Sequence, residues 1–243
     1  MKNYILGIDQ GSTGSKVLVV DKNGEVVCSA YRGIDSFYPH EGWVEHDPDA
    51  VWQSVRESIL EVAGKFDMSQ IRAIGITDQR ETTILWERAT GKALTPAVSW
   101  QCVRSQAIVD RWAPYCEEIT EVTGLPNHTY YSASKIIWLL EQNPGLRERC
   151  EKGEICFGTI NTWVLWNLTG GKSHLTDSSN AGRTMFYDVR KDQWSNSLID
   201  KFGIPRQILP GVLPCDGDFG MAVEPAEAFK EPIPIMASIG DQM

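Results

Sequence analysis

Several things are missing from this 243-residue sequence, and each absence removes a class of protein. No stretch approaches the roughly 18 apolar residues that a membrane-spanning helix needs, so no membrane span is expected. No run rich in Lys or Arg is present, and 23 basic against 32 acidic residues leave a net charge of −9. A phosphate backbone is bound through a basic face, so nucleic acid is not an expected partner. The six cysteines, at 28, 102, 116, 150, 156 and 215, form no Cys-x-x-Cys pair, and the four histidines show no ligand-like spacing. Free thiols are therefore expected, and no structural zinc. Residues 1–9 reach an acidic residue after a short apolar run and do not have the form of a secretory signal. The expected location is cytoplasmic, and the glycosylation-like triplets at Asn127 and Asn167 then carry no meaning.

What is present is ordinary globular material: 42% of residues are apolar and 23% charged. At about 150 residues per domain the length allows one large domain or two small ones. Nine tryptophans are many for this length, and most should be core or pocket walls. The chain opens as a meander of three strands, 4–8, 16–21 and 25–32, with Asn23-Gly24 as the hairpin turn between the last two. A helix follows, with Asp47 as cap, Pro48 in its first position, and Val51, Trp52, Val55, Ile59 and Val62 on one face. Residues 71–76 read as a strand buried on both faces, and 83–86 and 97–100 as a pair of strands around Thr90-Gly91. Helices are expected near 103–119, 133–142, 145–152, 160–168 and 194–202, and a last strand at 233–239. Strands alternating with helices after a meander indicate an α/β domain.

Four segments could carry chemistry. Asp9-Gln-Gly-Ser-Thr-Gly14 follows a buried strand directly. Its glycines permit close backbone approach to a ligand, Ser12, Thr13 and the backbone N–H groups can donate to phosphate oxygens, and Asp9 can hold a magnesium ion through water. Equally, it fits a plain small-residue turn. Arg80-Glu81 presents donors beside an acceptor, which suits neighbouring hydroxyl groups, or a surface ion pair. Trp100 and Tyr130 can wall a polyol's carbon backbone or simply pack in the core. Asp241 follows an apolar strand and Gly240, and can serve as a general base, a helix cap, or both. Ligands in α/β folds sit beyond the carboxyl ends of strands, usually where a helix begins, so a site at Gly240-Asp241-Gln242 is expected to continue beyond the residues given.

Taken together, the segments resemble the FGGY family of carbohydrate kinases, and most closely its glycerol-phosphorylating members. The matches run in order: Gly7-Ile-Asp-Gln-Gly-Ser-Thr13, Gly42-Trp-Val-Glu-His-Asp-Pro48, Gly75-Ile-Thr-Asp-Gln-Arg-Glu-Thr-Thr83, Ser99-Trp-Gln-Cys102, Phe157-Gly-Thr-Ile-Asn-Thr-Trp163, Thr176-Asp177, Asn180-Ala-Gly-Arg-Thr-Met185, Phe202-Gly-Ile-Pro205 and Gly240-Asp-Gln242. Each is weak by itself; the ordered set is specific. The resemblance implies an actin-like, ribonuclease-H-like lobe with a mixed sheet, spanning 1–243, that transfers the γ-phosphoryl group of ATP to a terminal hydroxyl, with glycerol the expected substrate. It implies that Arg80, Glu81, Trp100, Tyr130, Asp241 and Gln242 contact the polyol and that Asp241 is the base. Ser12, Thr13, Gly14 and Lys16 would face the ATP phosphates, and Asp9 would stand beside Mg²⁺. It also implies a C-terminal nucleotide lobe outside this chain, without which the lobe should turn over little and could self-associate. The alternatives are a non-catalytic polyol-binding or interaction module, and a kinase for another small polyol or sugar. Four positions depart from the family pattern: Lys16 for arginine, Asp78 for asparagine, Asn161 for aspartate and Gly182 for serine. Asp78 is expected to add negative charge near the pocket.

Overall fold

A computed structural model describes residues 3–242. Strands β1 (Tyr4–Gly11), β2 (Gly14–Val20) and β3 (Val26–Gly33) form the expected meander. The short strand β4 (Glu45–His46) leads into helix α1 (Pro48–Ala63), where the Asp47 side chain accepts from the Asp49 N–H at 2.9 Å and Pro48 needs no partner for a missing donor. Val51, Val55, Ile59 and Val62 are fully buried on its inner face, while Trp52 is only half-buried. Next come β5 (Ile71–Asp78), β6 (Ile84–Glu87) and β7 (Ala97–Val98). Helices α2 (Gln106–Arg111), α3 (Cys116–Thr123), α4 (Ser132–Gln142) and α5 (Pro144–Glu151) follow, then β8 (Ile155–Gly158) and α6 (Ile160–Leu168). The remainder is β9 (Leu175–Asp177), α7 (Ser178–Ala181), β10 (Tyr187–Asp188), β11 (Gln193–Trp194), α8 (Asn196–Phe202), β12 (Gly211–Leu213), β13 (Met221–Ala222) and β14 (Ile233–Gly240).

The main sheet has the order β13-β14-β5-β1-β2-β3. β5 runs parallel to both β1 and β14, and the other pairings are antiparallel. Helices α1 and α6 bury one face of it through Leu6, Ile8, Val17, Val19, Ile74 and Ile76. The opposite face is open among the described residues, with Ile5 and Ile239 about 40% exposed. A second core belongs to the helical insert of α2–α5 and α8. β6 and β8, paired with each other, divide the two: Ile84, Trp86 and Cys156 point to the sheet core, and Leu85, Ile155 and Phe157 to the insert core. That alternation is the two-residue period of a strand buried on both sides.

Two expectations need correction. The helix expected over 103–119 is broken into α2, a 3₁₀ turn at 113–115 and α3, because Pro114 has no N–H and disfavours helix at the residue before it. The pair expected around Thr90-Gly91 survives only as bridges Thr83↔Val98 and Trp86↔Ala93, since β6 finds its main partner in β8 and β7 in β4. No helix among the described residues is long and apolar enough to cross a membrane.

Candidate active site

Parallel pairing brings the carboxyl ends of β1, β5 and β14 side by side, with Gln10 opposite Asp78 and Asp78 opposite Gly240. The chain leaves β5 as Gln79-Arg80-Glu81 and leaves β14 as Asp241-Gln242, so both segments converge where ligands sit in such sheets. There they line a cavity of about 130 Å³ together with Ser12, Trp100 and Tyr130. All six residues expected around the polyol thus meet in one small pocket. Larger cavities lie elsewhere: one of about 310 Å³ at the amino ends of β5 and β14, another of about 650 Å³ along 169–175 and 218–223. Neither reaches the carboxyl ends of the sheet.

Arg80 is buried, with Nη2 donating to Gln242 Oε1 at 3.2 Å and Nε 3.5 Å from Asp241 Oδ1. Its stem lies across Gly240, where a Cβ would meet Arg80 Cδ at 2.3 Å, so the guanidinium can lie there only over a glycine. Glu81 holds a left-handed backbone, φ +65, rare for a residue with a side chain and a form of strain often stored at ligand sites. Burial raises its carboxyl above the usual range, against the pull of Arg183, whose Nε donates to Glu81 Oε1 at 2.7 Å. The Arg183 guanidinium also lies over the rings of Tyr130 and Tyr131, at 5.7 and 5.1 Å from their centroids. Tyr130 and Trp100 face each other at 5.3 Å. Burial, then the nearby Glu81, raise the Tyr130 hydroxyl and keep it a donor.

The residues expected on the phosphate side divide. Ser12 lines the pocket itself, donating to Gln79 Oε1 at 3.2 Å and accepting from Trp100 Nε1 at 3.0 Å. Thr13 is exposed at the hairpin tip, its carbonyl taking the Tyr31 hydroxyl and the Ile34 N–H. Gly14 is buried against β3: a Cβ there would stand 2.3 Å from the Arg32 carbonyl, which gives this glycine a packing reason of its own. Asp9 and Lys16 are exposed partners across β1 and β2. Burial, then the charge of Asp241, raise Asp9, so two carboxylates repel across one space. No cluster of three or more metal-type side chains occurs among the described residues. One or two carboxylates beside water is nonetheless the donor set magnesium takes, and Asp9 fits it.

Asp78 does not add charge to the pocket. Its side chain turns beneath, fully buried, where Oδ2 accepts the Asn161 N–H at 3.0 Å and Oδ1 accepts from Asn180 Nδ2 at 2.9 Å. Burial, and then the Asp177 carboxylate, hold Asp78 well above the usual carboxylate range. Asn161 Nδ2 donates to Asp177 Oδ1 at 2.9 Å, so the departures at 78 and 161 belong to one buried network. That network also holds the backbone at Asp241. The Asp78 carbonyl accepts the Asp241 N–H at 3.0 Å, and Ser179 Oγ, bonded to Asp177, accepts the Gly240 N–H at 2.9 Å.

Residues 4–243 match the model of the FGGY family of carbohydrate kinases, N-terminal domain, and the chain belongs to that family. It is 44% identical to glycerol kinase 2 of Thermotoga maritima over 98% of the chain and 49% of that protein. Identity to the glycerol kinase of Shewanella pealeana is also 44%, over 99% of the chain and 49% of the relative. Among solved structures, Plasmodium falciparum glycerol kinase with ADP superposes with a TM-score of 0.93 at 34% identity, covering 99% of this chain and 49% of that one. Gluconate kinase from Lactobacillus acidophilus, at 23% identity and TM-score 0.87 over 98% of this chain and 48% of that one, shares the fold. The fold is thus the actin-like one of FGGY kinases. The chain spans about half the length of the curated relatives it matches.

Proposed function

We propose that this chain is the substrate-binding lobe of an ATP-dependent kinase that phosphorylates a terminal hydroxyl of glycerol. The observation that carries the reading is the pocket: two polar pairs, Arg80-Glu81 and Asp241-Gln242, converge with an aromatic wall around a volume suited to a small polyol. Arg80 donates to hydroxyl oxygens while Glu81, buried and held by Arg183, accepts from them. Trp100 and Tyr130 cover the carbon backbone and exclude water. Asp241 accepts the proton of the attacking hydroxyl as its oxygen bonds the γ-phosphorus and the bond to ADP breaks. The transition state of such a transfer is loose, so positioning and neutralisation of charge matter more than the base. Asp9 would hold Mg²⁺, which when bound neutralises phosphate charge. Ser12, Thr13, Gly14 and Lys16 lie on the side from which the phosphates would approach. A second lobe, outside this chain, would supply the adenine site.

The test has two parts. The 243-residue chain should bind glycerol saturably, and should form almost no ADP with glycerol and Mg·ATP. Adding the C-terminal half of a glycerol kinase should restore glycerol-dependent ADP formation. Binding without restored turnover would instead make the lobe a polyol-binding module, and steady glycerol-dependent turnover by the chain alone would overturn the division of labour.

A further inference from the structure

Lys135 is fully buried in the first turn of α4, at a helix N-terminus where a cation is disfavoured. Arg104 adds like charge nearby, and burial pushes the Lys135 ammonium down to about 7. Such a placement is costly unless the ammonium is held by partners. What the ammonium does is visible in its partners. Nζ lies 2.6 Å from the Thr129 carbonyl, 2.7 Å from that of Tyr130 and 3.1 Å from that of Tyr131. These are three consecutive carbonyls, one for each N–H of the ammonium, and they turn inward to meet it. The segment is the loop that delivers Tyr130 to the pocket opposite Trp100. The Glu81 carboxylate also attracts the Lys135 charge, while the Glu81 carbonyl takes the Ser132 hydroxyl at 3.0 Å.

We infer that Lys135 is a positioning residue for the aromatic wall of the pocket: its ammonium gathers the carbonyls of 129–131 and so fixes the Tyr130 ring against the polyol. The inference rests on the reading of the pocket as a polyol site. The lysine touches no substrate. It acts through Tyr130, and removing it takes the ammonium donor from the carbonyls of Thr129 and Tyr130, while that of Tyr131 remains the first acceptor of α4.

The test uses the 243-residue chain with Lys135→Met, each in a Tyr130 and a Tyr130→Ala background. Amide hydrogen exchange at residues 129–132 should quicken about tenfold or more while β1 and β5 keep their protection. Glycerol affinity should fall about tenfold with Tyr130 present, and less than about twofold in Tyr130→Ala, where the ring to be positioned is gone. Lys135→Gln, which keeps a donor, should lie between and serves if Lys135→Met does not fold. Unchanged exchange at 129–132, or a loss of affinity that persists undiminished in Tyr130→Ala, overturns the inference. If the unaltered chain binds no glycerol, the polyol reading fails by itself, and the exchange measurement still decides whether Lys135 holds the loop.

Discussion

The two walls of the pocket are built in different ways. One wall comes from strand ends: Arg80, Glu81, Asp241 and Gln242 each follow a sheet strand within a few residues, and hydrogen-bonded register sets where they stand. The other comes from the helical insert. Tyr130 sits on a loop whose shape depends on a buried lysine and on an arginine 53 positions along the chain, and Trp100 is tied to Ser12. The charged groups of the pocket thus stand at strand ends, and its aromatic rings on loops.

Substitutions can break or sharpen this contrast. The largest effect belongs to the strand wall. In a protein carrying both lobes, Asp241→Asn should lower the phosphorylation rate by about 10²–10⁴ and leave glycerol affinity within about tenfold, as steady-state kinetics will show. Arg80→Ala should weaken glycerol binding by about 30-fold in calorimetry, the usual scale for losing a charged hydrogen-bond donor. On the insert wall, Arg183→Ala should weaken it by about tenfold, because Glu81 then stays buried without its cation. Burial already raises Glu81, and Arg183 holds it down. Its removal raises Glu81 further, so the gain in binding on ionisation should move to higher pH. An Arg183 effect larger than that of Arg80 would reverse the contrast.

The smallest effect on binding is expected beneath both walls. Asp78→Asn should leave glycerol affinity within about twofold, since the side chain faces away from the pocket. Its influence is on stability. A carboxyl raised in the folded state contributes stability below its unfolded pKa and loses it as pH rises toward the folded value. Melting temperature should therefore fall less between about pH 4 and 7 in Asp78→Asn than in the unaltered chain. A large loss of glycerol binding would put Asp78 back in the site.

The same contrast explains what could be read from sequence. Strand-end residues announce themselves locally, as a short polar segment after an apolar run, and the architecture follows from the meander, the capped helix at Pro48 and the final strand. Arg183 carries no such signal: it lies in a quoted segment, Asn180–Met185, but its partners Glu81 and Tyr130 are distant in sequence. Lys135 is legible in principle, as a cation written against a helix dipole in a first turn of small residues, Ser-Ala-Ser-Lys. Asp78 was misplaced because alternation along a strand cannot say what lies under its last residue; the amino end of α6 and Asn180 decide that. β8, four buried residues long, is too short to reveal its period.

Gly240 has a consequence for how such a lobe can change. β14 ends at Gly240, the bare backbone on which Arg80 rests, and hands the chain directly to Asp241. Any shift of that strand moves Asp241 and the seat of Arg80 together, so the two side chains cannot be repositioned independently through β14. On the proposed reading, room for a longer or bulkier polyol is made through the loop at 128–131 and the turn at Trp100, which can change without moving Asp241.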